Sequence, residues 1–260
     1  MATMTKHAPG AFCWVELATT DAAAAKAFYT RLFGWTFEDS PMGPEGVYTF
    51  LRLNDRKVGA LFGMTPKSHP AGTPSHWVPY IATDDADATA RLVAAHGGRV
   101  VAQPFDVMED GRMVIVEDPA GAMFAAWQGK RSPGLEVKDE PGSLGWMQLN
   151  APDPSQASSF YHGVFGWNAR HDPMEHGGSY TTFMSGLERR GGGMPMPPDA
   201  KAPAHWLTYF AVADVDATAG KAAQLGGSVM MPPMDIPGVA RMAVLSDPQG
   251  AFFAIVKFAG

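Results

Sequence analysis

At 260 residues the chain has room for one large domain or two compact ones, and 46% hydrophobic against 18% charged residues describes a folded rather than a disordered polymer. A formal charge of -6, with no basic block longer than the pairs Lys130-Arg131 and Arg189-Arg190, offers little to a phosphate backbone, so nucleic-acid binding is not expected. Cys13 is the only cysteine, which removes internal disulfides and Cys-rich zinc sites; no leader-like or membrane-spanning apolar run is seen, so no membrane partner is expected and a cytoplasmic location is the default.

Residues 13–18 read as a first strand. Asp21 is a suitable helix N-cap, and Phe28, Tyr29, Leu32 and Phe33 form one apolar stripe before Gly34 ends the helix. Strands follow at 47–53 and 57–64, with Asn54-Asp55 as the hairpin turn. A second round opens with a strand at 76–82, then a helix from Asp85 to the Gly97-Gly98 cap, then strands at 99–101, 113–117 and 123–127. Residues 129–143, with Pro133, Gly134, Pro141 and Gly142, read as a linker.

The pattern then starts again. Asp21, Phe28-Tyr29 and Phe33-Gly34-Trp35 return as Asp153, Phe160-Tyr161 and Phe165-Gly166-Trp167. His76-Trp77 and Tyr80 return as His205-Trp206 and Tyr209, and Asp118-Pro119, Gly121-Ala122 and Phe124 as Asp247-Pro248, Gly250-Ala251 and Phe253. Two domains are therefore expected at 8–130 and 142–260, joined by 131–141, each with two βαβββ-like modules.

The F-Y-x-x-x-F-G-W helix end, His96-Gly97-Gly98 and the D-P-x-G-A-x-F turn together resemble the vicinal oxygen chelate superfamily of glyoxalases, bleomycin-resistance proteins and extradiol dioxygenases, and in particular its two-domain bacterial glyoxalase-like members. The resemblance implies an α+β fold of tandem glyoxalase/bleomycin-resistance/dioxygenase-type domains, four βαβββ modules forming curved mixed sheets around clefts. In metal-using members one divalent ion is held by His, Gln or Glu side chains from the inner strand faces. Carried onto this chain, those positions are Trp14, Ala60, Val78 and Ala125 in the first copy and Trp146, Gly192, Leu207 and Ala254 in the second. None of these side chains offers an imidazole, carboxylate or thiolate, so neither metal nor other cofactor is expected.

Period-two alternation nominates the other cleft residues. Glu16, His76 and Tyr80, with His205 and Tyr209 in the second copy, are candidates for proton transfer. Trp14, Met123, Trp127 and Arg112, with Trp146, Gln148, Asn150, Phe252 and Arg241, are candidates for ligand contact, Arg112 or Arg241 also being the expected partner of Glu16. Each has a plainer alternative: a strand-edge histidine bonded to backbone, a tyrosine that packs, an arginine that braces a turn. Trp77 and Trp206 have the parity of the core. His171, Asp172, Glu175 and His176 form either a surface metal site or a solvated loop.

The leading reading is a metal-free protein that binds a small hydrophobic, aromatic or polyketide-like molecule; a homodimer is compatible with it. Two enzymatic alternatives stay open: a metal-free acid–base enzyme using Glu16, His76 and Tyr80, and a metal-dependent lyase, isomerase or dioxygenase/hydroxylase-like enzyme.

Overall fold

The computed structural model describes residues 3–43, 46–174, 178–200 and 202–259. The first half runs β1 (Phe12–Thr19), α1 (Ala22–Phe33), β2 (Thr36–Pro41), β3 (Val47–Leu53), β4 (Arg56–Gly63), β5 (His76–Ala82), α2 (Ala86–Ala95), β6 (Arg99–Val107), β7 (Gly111–Glu117) and β8 (Met123–Gly129). The second half repeats it as β9 (Leu144–Ala151), α3 (Pro154–Phe165), β10 (Asn168–Pro173), β11 (Ser179–Ser185), β12 (Glu188–Pro195), β13 (His205–Ala211), α4 (Val215–Gln224), β14 (Ser228–Ile236), β15 (Ala240–Ser246) and β16 (Phe252–Phe258).

Local chemistry sets these boundaries. The carboxylates of Asp21, Asp85, Asp153 and Asp214 each accept a backbone N–H from the first turn of the helix they open. Gly34 and Gly166 close α1 and α3 in the left-handed region at φ 74 and 69, a backbone conformation that strains residues with a side chain. The Asn54-Asp55 turn has φ 50 and 63, the primed geometry that matches strand twist. One strand per half was not expected from the sequence: β2 and β10 are mostly exposed edge strands, without the apolar alternation that marks a half-buried strand. β6 also extends well past the expected residue 101, through Pro104 to Val107.

Each half forms one eight-stranded mixed sheet, in the orders β2-β3-β4-β1-β5-β8-β7-β6 and β10-β11-β12-β9-β13-β16-β15-β14. Modules thus pair within each copy, through the antiparallel contacts β1–β5 and β9–β13, while β1–β4 and β5–β8 run parallel. The chain consists of tandem domains of the α+β class whose sheets do not close into barrels.

The helices lie between the two sheets, α1 packing on α4 and α2 on α3 across the domains, so that both halves share one core. The same contacts occur in both directions. Trp35 donates its indole N–H to Gly142 O at 2.7 Å, and Trp167 donates to Gly10 O at 3.0 Å. Trp77 donates to the Tyr29 hydroxyl, which donates to Asp247, and Trp206 donates to Tyr161, which donates to Asp118. A Cβ on Gly98 would collide with Phe160, and one on Gly227 would crowd Phe28, so the second glycine of each Gly-Gly pair admits an aromatic ring from the opposite domain. Each fully buried ring of this size contributes roughly 1.5–3 kcal/mol through the water it sheds. The segment between the domains belongs to the same assembly: Leu135 and Val137 are buried, and Leu135 N donates to Cys13 O at 2.7 Å.

Candidate functional site

With the helices on one side, the opposite face of each sheet is open, and strand register says which side chains share it. In the first domain Glu16 pairs with Ala60 and Val78, Trp14 with Tyr80, and Tyr80 with Ala125, so these six lie on one face, with His76, Met123 and Trp127 in phase. Trp14, Ala60, Tyr80 and Ala125 are buried although no helix covers them, which requires the sheet to curl around them into a cleft. Phe12 does not follow this phase, because a bulge between Phe12 and Trp14 turns its ring into the domain interface, 5.0 Å from Trp206. Cys13, within that bulge, is fully buried with its thiol on Tyr80 O; burial pushes its pKa up, so it is inert.

The floor of the first cleft is a hydrogen-bonded row. Trp14 Nε1 donates to Tyr48 Oη at 3.1 Å, Tyr48 donates to Glu16 Oε2 at 2.6 Å, and Tyr80 donates to Glu16 Oε1 at 3.0 Å. Burial pushes the Glu16 carboxyl above its ordinary range, and the two phenols pull against that shift without cancelling it. Both phenols are raised well above the usual tyrosine value, by burial first and the adjacent carboxylate next, so they stay protonated donors. Part of Glu16 still meets the open face.

His76 sits at the end of this row. Its Nδ1 lies 2.8 Å from Pro74 O and must donate, which leaves Nε2 as an acceptor, buried and without a partner. The His69 ring, 5.6 Å away, covers it from the loop before β5. Trp127 forms a wall, 6.4 Å from Tyr80, and its indole N–H is held by Ser132 O.

In the second domain Gln148 pairs with Gly192 and Leu207, Trp146 with Tyr209, Tyr209 with Ala254, and Asn150 with His205. The polar row here is closed on itself. Tyr209 donates to Gln148 Oε1, Gln148 to Asn150 Oδ1, Asn150 to His205 Nε2, and His205 Nδ1 to Pro203 O, with distances from 2.9 to 3.2 Å. No member is left to exchange a proton with a ligand. The rest of the face is apolar: Leu207, Tyr209, Met242, Ala254 and Val256 form a separate cluster, while Phe252 stands half exposed at 48%. The difference traces to two residues, since Glu16 and Ala18 occupy the positions of Gln148 and Asn150.

Arg112 and Arg241 do not reach either cleft, contrary to expectation. Met113 pairs with the cleft residue Trp127 and Met242 with Val256, so their neighbours point to the helix side. There Arg112 is held by Asp87 and Asp106, and Arg241 by Asp216 and Asp235. The partners of Glu16 are tyrosines instead. Tyr48 and its counterpart Tyr180, which accepts the Trp146 indole N–H at 3.0 Å, escaped the sequence reading although both copies carry them. Trp77 and Trp206 are core residues, as their parity implied.

The fold family's metal-using members pose a direct test of fit. The positions that the family resemblance implies as ligands carry an indole, an isopropyl and two methyls in the first cleft, and an indole, an isobutyl, a methyl and a bare glycine in the second. A side chain at position 192 would overlap the Tyr180 hydroxyl. No group of three or more His, Cys, Asp or Glu side chains suited to a metal occurs among the described residues. His171 bonds to Thr181 and Asp172 to Arg170, while Glu175 and His176 lie outside the described residues. These donors do not fit a divalent ion.

This architecture defines a tandem-domain vicinal oxygen chelate protein with open clefts. The model of the Glyoxalase/Bleomycin resistance protein/Dioxygenase superfamily matches residues 11–126 and 143–255, and the chain belongs to that family. It is 45% identical over 245 residues to the "Putative glyoxylase CFP32" of Mycobacterium bovis, covering 94% of this chain and 93% of that protein. It is 38% identical to the anthracycline biosynthesis protein DnrV of Streptomyces peucetius, covering 98% of this chain and 95% of that protein. Among solved structures, the Mn(II)-bound glyoxalase from Novosphingobium aromaticivorans superposes with a TM-score of 0.67 at 15% identity, over 96% of this chain and 84% of that one, a likeness of fold. Among the described residues no helix is long and apolar enough to cross a membrane.

Proposed function

We propose that the chain binds a small, largely apolar aromatic molecule on the open face of its first domain, without a metal ion. The observation that carries this reading is the substitution of Trp14, Ala60, Val78 and Ala125 for metal ligands on a face that keeps its cleft. Trp14, Tyr80 and Trp127 give that face an aromatic lining, each residue more than nine-tenths buried, and Glu16 supplies the polar point that orients a ligand. A relative named for anthracycline biosynthesis, matched over nearly its whole length, supports a polycyclic ligand.

Saturable quenching of tryptophan fluorescence by a hydroxyanthraquinone, weakened about tenfold or more in Trp14→Ala, is the expected result. Absence of saturable quenching in the parent protein overturns the proposal.

Glu16 favours a second reading, in which the bound molecule is also transformed. A carboxylate with a raised pKa, held between two protonated phenols, is suited to take a proton from a carbon or oxygen acid while Tyr80 steadies the charge. Glu16→Gln separates the readings. Turnover lost with affinity kept supports acid–base chemistry; no turnover in the parent protein leaves binding alone.

A further inference from the structure

The repeat exposes a second site, on the other domain and at the far end of its cleft. In the first domain the gap between the start of β1 and the start of β4 is filled by the interdomain segment. Leu135 N donates to Cys13 O, Glu136 N donates to Lys57 O, and the Glu136 carboxylate accepts from Lys57 N at 2.7 Å. A carboxylate therefore sits in this gap as part of the fold.

The corresponding gap in the second domain lies between the start of β9 and Arg189-Arg190 of β12, at the positions equivalent to Cys13 and Lys57. There the structure has a cavity of about 110 Å³, lined by Lys138, Arg189 and Arg190 with Asp139 as the only acid, and by Trp146. Arg190 is only 12% exposed; its Nη1 pairs with Glu188 at 2.8 Å, but its Nε is buried with no partner. Neither Lys138 nor Arg189 has an ion pair or side-chain hydrogen bond among the described residues. Arg189 is exposed and Lys138 half-buried, so the cation short of a partner is Arg190, and a buried guanidinium N–H without an acceptor is costly, which an anion relieves. Burial together with nearby Arg190 lowers the Lys138 pKa, although Asp139 opposes the shift.

We propose that this cavity binds the carboxylate of a small aromatic acid. Its cationic lining suits an oxyanion better than a ring, which places the ring on the apolar surface beside it. Trp146 lines the cavity and also faces the second cleft, where Leu207, Val256 and half-exposed Phe252 continue the apolar surface. An aryl carboxylate placed with its anion against Arg190 would lay its ring across Trp146. The inference takes from the proposed function only that the clefts accept aromatic molecules, and it assigns the two clefts different ligands: the first has a carboxylate and repels an acid, the second has cations and attracts one.

Calorimetric titration of the full chain with 2-naphthoate and with its neutral carboxamide tests this. Naphthoate should bind more tightly by about tenfold or more, one charge-assisted contact being sufficient for that ratio, and the preference should vanish in Arg190→Gln and in Lys138→Met. Two variants on different segments guard against a folding defect in either, checked by circular dichroism. Equal affinities for acid and amide, or a preference that survives both substitutions, overturns the inference while leaving the first cleft's reading intact. Inorganic phosphate that outcompetes naphthoate also overturns it, by showing a phosphate site. Loss of hydroxyanthraquinone quenching, with the naphthoate preference intact, condemns only the first-cleft reading.

Discussion

Replacing Tyr29 by Phe keeps the ring and its stacking on Trp35 and removes one oxygen from the centre of the domain interface. That oxygen has two bonds, accepting from Trp77 Nε1 at 3.1 Å and donating to Asp247 Oδ2 at 3.1 Å, and the residue is fully buried. A hydrogen bond to a charged group is worth about 1.5–3 kcal/mol net, and an orphaned buried N–H costs about 1–3 kcal/mol, so a loss of roughly 2–4 kcal/mol is expected, allowing for partial relaxation. The loss should depend on pH in a defined direction. Burial raises the Asp247 pKa in the folded protein, and the Tyr29 hydroxyl is among the groups that restrain the rise. Without it the folded-state value climbs further above the unfolded one, and a carboxylate so shifted destabilises the fold as pH rises through it. The deficit of the variant should therefore be full near neutrality and shrink as Asp247 protonates. Urea unfolding at several pH values measures it. A deficit below about 1 kcal/mol at neutral pH, or one that grows on acidification, refutes the reasoning. Tyr161→Phe should behave alike, because Trp206 and Asp118 hold it in the same way.

Glu16→Gln should raise the melting temperature at neutral pH, because the parent's folded-state pKa lies above the unfolded one and ionisation costs the fold; the gap between the two proteins should close as pH falls below about 4.3. Gly192→Ala should displace Tyr180, break its bond to Trp146 and destabilise the chain by about 1–3 kcal/mol, seen in urea unfolding. Arg112→Ala should leave the affinity for a hydroxyanthraquinone unchanged in fluorescence titration, since its guanidinium is held on the helix side by Asp87 and Asp106.

The tandem fold was legible because a repeat states it twice. Each helix start carries an aspartate, each helix end of the F-G-W type a glycine, and each D-P-x-G turn returns at nearly constant spacing. Strand phase also placed Trp14, Glu16, Tyr80 and Trp127 on one face, and Trp77 on the other, since side chains alternate strictly where register is regular. The edge strands β2 and β10 carried no such signal, their side chains being largely solvated on both faces. Arg112 and Arg241 were misplaced by weighing their charge above their phase: each neighbours a residue of cleft parity and so points away from the cleft. What a linear sequence could not convey was contact between the copies. Tyr29 meets Asp247, and Tyr161 meets Asp118, through a packing of domains that no spacing encodes. Tyr48 was missed within one module: it reaches Glu16 from β3, across the intervening strand β4, a contact that strand phase alone does not convey.

The most direct test is a fluorescence titration of the purified chain with a hydroxyanthraquinone after exhaustive chelation, repeated with added Mn(II), alongside elemental analysis of the starting protein. Unchanged saturable binding in both solutions, with no stoichiometric metal retained, is the predicted result. A tightly held divalent ion at one per cleft, or binding that disappears on chelation and returns with Mn(II), would contradict the claim that indole and alkyl groups have replaced the metal ligands.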